Sequence, residues 1–155
     1  VAVTLVGCQD TEEPQGPLFG SWENRNYSDS LDLWFVQTLT FKSDSLMLVE
    51  QTVRQTETGP TVGYRMIADG WYKLDGSTFK YYYDYALFYF GGEDSNLYVP
   101  KNELRPGIAD FFRIPTGKLT FSIDRSRFQF QEDCLEVNPQ SDCIAFPPIE
   151  YLRVN

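Results

Sequence analysis

Histidine does not occur in these 155 residues. Its absence removes serine–histidine triads, histidine general bases and histidine metal sites together. Basic residues are few: 13 Lys and Arg against 22 Asp and Glu give a net charge of −9. That field repels a phosphate backbone, which excludes nucleic acid as a general partner. No stretch reaches the roughly 18 apolar residues that a membrane-spanning helix needs. No G-x-S-x-G, P-loop or CxxC occurs either, so the usual nucleophile, phosphate and redox motifs are missing. Carboxylates do adjoin at Glu93-Asp94 and Glu132-Asp133. Neighbours on a strand face opposite ways, so neither pair is a ready acid–base dyad. The sequence points to a protein that is not an enzyme and takes no cofactor or metal.

What is present suits one folded domain. The length falls within one domain's range, and 42% hydrophobic with 23% charged residues is an ordinary globular composition. Val1-Ala2-Val3-Thr4-Leu5-Val6-Gly7-Cys8 is apolar and uncharged, whereas Gln9 to Pro17 is polar, acidic and rich in turn formers. Three cysteines leave one over if a disulfide forms in an oxidising compartment. Cys134 and Cys143 flank the turn-rich stretch Leu135 to Asp142, and a bridge there would staple one loop and leave Cys8 free. The alternatives are reduced thiols at both positions, and a first strand burying Cys8.

Leu5-Val6-Gly7-Cys8 resembles the end of a bacterial lipoprotein signal peptide, with Val6 in place of the more usual Ala or Ser. The resemblance implies cleavage before Cys8 and a diacylglycerol on its sulfur. Two acyl chains suffice for stable attachment. A signal peptide normally runs 15–30 residues, so this reading expects further residues before Val1. Asp10, Glu12 and Glu13 resemble the acidic surface-export signal of Bacteroidetes-type lipoproteins, or are simply charges that keep a linker extended. Asp29-Ser30-Leu31 and Asp44-Ser45-Leu46 resemble the short O-glycosylation sequon of that group. The expected organisation is a signal-peptide end over 1–7, a lipidated Cys and acidic tether over 8–18, and a β domain over 19–155. The expected place is the outer membrane, lipid-anchored, on its periplasmic face or at the cell surface.

From residue 19 onward period-2 alternation dominates. Phe35 to Lys42, Leu119 to Asp124 and Phe128 to Gln131 alternate apolar with polar, and Val62 to Asp69 does so except at Ile67. Turn formers separate the runs, the strongest being Asp75-Gly76, since a two-residue hairpin turn needs positive φ. About nine strands result, with room for a short helix between Pro100 and Phe112. Short turns make an antiparallel meander, and closing it into a barrel removes the exposed edges. A two-sheet sandwich would give the same alternation.

Gly20-Ser21-Trp22 opens the first strand, and Arg153 lies in the last, Glu150 to Val154. This resembles lipocalins and their bacterial lipocalin-like relatives, which begin with Gly-x-Trp and lay an Arg from the final strand across that indole. The resemblance implies a barrel of about eight to nine strands, latched at its closed end by Gly20, Trp22 and Arg153. The Pro-containing excursion from Glu93 to Gly107 and the Pro147-Pro148 break depart from the family pattern.

Phe79 to Phe90 holds eight aromatics in twelve residues. With Lys80 and Asp84 outside, alternation points Phe79, Tyr81, Tyr83, Tyr85, Leu87 and Tyr89 inward. Tyrosine hydroxyls need partners when buried, which suits a wet cavity or bonds to strand ends. The expected ligand-binding set is Phe79, Tyr81, Tyr83, Tyr85, Phe121 and Phe130. Tyr82, Phe88 and Phe90 lie on the other face, unless a bulge reverses the phase. Two functions stay open. One is a lipid-anchored envelope protein holding a small apolar or amphipathic ligand in a barrel. The other is a surface module that binds glycan or a partner protein through exposed aromatics.

Overall fold

The computed structural model describes residues 16–91, 97–108, 113–135 and 142–155. The alternating runs form nine strands: β1 (Gly20–Ser28), β2 (Leu33–Phe41), β3 (Leu46–Arg54), β4 (Thr61–Asp75), β5 (Thr78–Phe88), β6 (Arg105–Pro106), β7 (Thr116–Phe121), β8 (Arg127–Glu132) and β9 (Ile149–Arg153). Among the described residues the stretch after Pro100 forms a single 3₁₀ turn, Lys101–Glu103, rather than an α-helix. Gly76 takes φ 61 in the β4–β5 turn, as a two-residue hairpin requires.

All pairings between strands are antiparallel and follow the order β4-β3-β2-β1-β9-β8-β7-β5-β6. β4 also pairs with β5, so the sheet closes on itself. Eight strands make the ring, and the two-residue β6 extends the far end of β5. The protein is therefore an all-β antiparallel meander closed into a ring rather than two stacked sheets. The seam between β5 and β7 is short, three residue pairs from Thr78 to Lys80. The excursion that breaks the meander runs beside β4, where Tyr64 and Val99 exchange backbone hydrogen bonds of 2.8 and 3.1 Å.

One row of inward residues circles half the ring: Trp22, Leu39, Val49, Ala68 and Ala86 are successive cross-strand neighbours, and all are buried. Phe79, Leu119, Phe128, Phe130 and Tyr151 complete the core from the other strands. Burying such side chains contributes about 1.5–3 kcal/mol each, the dominant favourable term of the fold.

Bulges interrupt the alternation in two strands. Gly70 faces Tyr83 but Asp69 faces Tyr85, so Asp84 is an extra residue in β5. Gln51 faces Met66 but Thr52 faces Tyr64, so Arg65 is an extra residue in β4. An extra residue reverses the inward phase of everything beyond it.

Cys134 and Cys143 form a disulfide, with Cα atoms 5.4 Å apart, next to a bridge between Leu135 and Ile144. The sequence separation of 9 closes a small loop. Its loss should cost about 2.5–3 kcal/mol in the chain-entropy model. Denaturation of Cys134→Ala/Cys143→Ala against the parent checks this. No change in midpoint would mean that the bridge constrains only its own loop.

Candidate functional site

Trp22 is fully buried, and Arg153 stands opposite it across the β1–β9 pair. The guanidinium carbon lies 4.3 Å from the Trp22 ring centroid, within the range of cation–π attraction. Arg153 also donates from Nη2 to the Pro17 carbonyl at 3.0 Å and from Nη1 to the Phe19 carbonyl at 3.2 Å. Trp22 Nε1 donates to the Leu18 carbonyl at 2.8 Å. Three successive carbonyls of the incoming chain are thus held by the first and last strands. Gly20 has φ +107, and a Cβ there would lie 2.5 Å from the Asn155 carbonyl oxygen, so only glycine fits.

The six aromatics expected to line a pocket divide into core and surface. Phe79 and Phe130 are buried, with ring centroids 5.3 Å apart. Tyr81 packs 5.7 Å from Phe79 and 5.9 Å from Tyr83, while Phe121 packs 6.0 Å from Trp22. Burial pushes the Tyr81, Tyr83 and Tyr151 hydroxyls up, so these groups stay neutral. These rings fill the interior by packing on one another. Tyr85 corrects the expectation outright: it is 53% exposed, because the Asp84 bulge turns it outward. Leu87 moves to the outer face with it, opposite Ile67, while Ala86 and Phe88 turn towards the core. Tyr89 and Phe90 line a surface cleft of about 590 Å³.

A cavity of about 230 Å³ lies elsewhere, lined chiefly by Asn24, Asn26, Phe35, Gln37, Gln51 and Arg65. Sequence reasoning missed it. The available signal was Gln37, a polar residue in phase between apolar Phe35 and Leu39.

On the outer face, Leu46, Trp71 and Tyr82 are cross-strand neighbours and each is about 40% exposed. Trp71 stands between two clefts. One, of about 310 Å³, is lined by Lys42, Leu46, Asp69 and Asp84. The other, of about 210 Å³, is lined by Lys73, Lys80, Tyr82 and Ile114. Tyr82 belonged to the expected outer set, whereas Trp71, after Asp69-Gly70, was not singled out.

Glu23 is the buried acid of the β1–β3 outer face. Its carboxylate accepts from Arg54 Nη2 at 2.6 Å and from Arg25 Nε at 2.8 Å. Burial alone would raise its pKa, but the hydrogen bonds and charges of Arg54 and Arg25 prevail and hold it below the usual carboxylate value. Glu132 pairs with Arg113, so it is no free catalytic acid. Among the described residues no group of three His, Cys, Asp or Glu is placed to hold a metal, and no helix is long and apolar enough to cross a membrane. Cys8, Glu93 and Asp94 lie outside the described residues.

Fold and sites together define a closed antiparallel β ring with a packed aromatic interior, a polar cavity and an exposed aromatic face. Comparison with protein-family models, with curated proteins and with solved structures finds no match to this chain.

Proposed function

We propose that this protein is a non-catalytic binding module of the bacterial cell envelope, held to the outer membrane by a lipid on Cys8, that recognises glycan through its outer aromatic face. The observation that carries the reading is Trp71. A large indole, exposed between two clefts and flanked by Tyr82, Asp69 and Asp84, offers a sugar a flat apolar face with hydrogen-bonding groups at its rim. The interior aromatics are spent on packing, which favours the outer face as the site. The lipocalin-like relationship belongs to the same proposal, supported by the meeting of Gly20, Trp22 and Arg153.

Retention on immobilised polysaccharides should fall about tenfold or more in Trp71→Ala, the weight of an aromatic anchor at the centre of a binding face. Its thermal midpoint should fall far less than that of Trp22→Ala, because the indole is 40% exposed where Trp22 is fully buried. A wild-type protein that no polysaccharide retains would overturn the glycan reading.

The anchor rests on Leu5-Val6-Gly7-Cys8 and on the pairing of Cys134 with Cys143, which uses the other two cysteines. Cys8→Ala should move the protein from the membrane to the soluble fraction. A variant that still sediments with membranes rules out lipidation there as the tether.

A second reading keeps an amphipathic small molecule inside the ring. It is supported by the 230 Å³ cavity, whose Phe35 supplies apolar surface beside amides.

A further inference from the structure

The inward face changes character one step beyond Trp22. The row Trp22, Leu39, Val49, Ala68 is wholly apolar, but the next row is Asn24, Gln37, Gln51, Met66. Three amides on an inward face, each half-buried, offer donors and acceptors to whatever occupies the space beside them. Asn24 has a partner, donating to the Glu150 carbonyl at 2.9 Å, and Asn26 donates to Asn24. Among the described residues the Gln37 and Gln51 side chains make no hydrogen bond. They line the cavity instead.

Arg65 supplies the charge. It is the extra residue of the β4 bulge, the kind of position that re-aims a side chain. Its guanidinium lies over the Phe35 ring at 5.2 Å, beside the same amides. Among the described residues no carboxylate lies within 4.0 Å of it, whereas Arg25, Arg54, Arg113 and Arg127 are each paired. Among the described residues Arg105, Arg125 and Arg153 also have no ion pair, but of these four Arg65 alone lines the amide cavity.

We propose that this cavity binds a small hydroxylated carboxylate of monosaccharide size, such as a uronic acid. Arg65 takes the carboxylate, Gln37 and Gln51 donate to and accept from hydroxyls, and Phe35 supports the ring face. The proposal rests on the interior-ligand reading and is independent of the outer aromatic face.

The test titrates the full chain with glucuronate, glucose and the neutral amphiphile octyl glucoside, followed by calorimetry. Glucuronate should bind, and glucose at least about tenfold more weakly, the weight of a charge-assisted contact. Arg65→Gln should weaken glucuronate by a similar factor, while Lys118→Ala, which removes an exposed cation outside the cavity and both outer clefts, leaves it unchanged. Gln51→Glu, which offers Arg65 a carboxylate of its own, should abolish binding and guards against misfolding of the Arg65 variant. Equal binding of glucose and glucuronate, indifference to both cavity substitutions, or equal sensitivity to Lys118→Ala would overturn the assignment. Octyl glucoside bound without glucuronate would leave the interior-ligand reading standing and remove the carboxylate. Binding of neither removes both.

Discussion

Replacing Trp22 by Ala should destabilise the protein by about 3–5 kcal/mol, the cost of a large aromatic lost from a packed core. The indole is fully buried, meets Phe128 edge-on with centroids 4.8 Å apart, and lies 6.0 Å from Phe121. Its removal leaves a void at the end of the ring and strips Arg153 of its aromatic partner. It also leaves the Leu18 carbonyl without its donor at 2.8 Å. Trp22→Phe separates these contributions, since it keeps a ring in the core but deletes the indole donor, and should cost less. Urea denaturation of both variants is the measurement. A loss under 1 kcal/mol in Trp22→Ala would show that the ring closes without its indole.

Glu23→Gln should cost about 3 kcal/mol, at the low end for breaking a buried ion pair. The two guanidiniums keep some water contact, with side chains 15% exposed at Arg25 and 13% at Arg54. The loss should also depend on pH. Glu23 titrates lower in the fold than its ordinary value of 4.5, so between those two values the unfolded chain binds more protons. Its contribution is therefore complete above 4.5 and disappears as pH falls through the native value. Wild type and variant should differ fully at pH 7 and converge under acid. A gap of constant size from pH 7 to pH 3 would mean that the carboxylate's charge is not what holds Arg54.

The strands were legible because period-2 alternation is a local property and their turns carry Gly, Asp and Ser. Asp75-Gly76 announced its hairpin by backbone chemistry alone. The closure of β1 on β9 was not local: the removal of exposed edges argued for a closed ring, but only a family resemblance suggested that Trp22 and Arg153 meet across nearly the whole chain. Tyr85 shows where alternation fails. One inserted residue, Asp84, leaves the composition of the strand unchanged and yet reverses every side chain beyond it. The cavity was hidden for a related reason. Gln37 and Gln51 look like surface residues by type; the phase of Gln37 between Phe35 and Leu39 hinted at an inward place, and the register with Trp22's row puts both there.

The clamp on Pro17, Leu18 and Phe19 has a consequence for how the ends of the chain come loose. Termini ordinarily fray one at a time and at little cost. Here the Ser21 amide donates to the Asn155 carbonyl at 3.4 Å, while the Val154 amide donates to the Ser21 carbonyl at 2.9 Å. Arg153 then reaches past both to the chain ahead of β1. Neither end can peel away without taking the other, so first and last strands behave as one unit in hydrogen exchange and in proteolysis. A pull delivered through the segment ahead of residue 16 is shared at once by β1 and β9, and the load enters the ring at the indole.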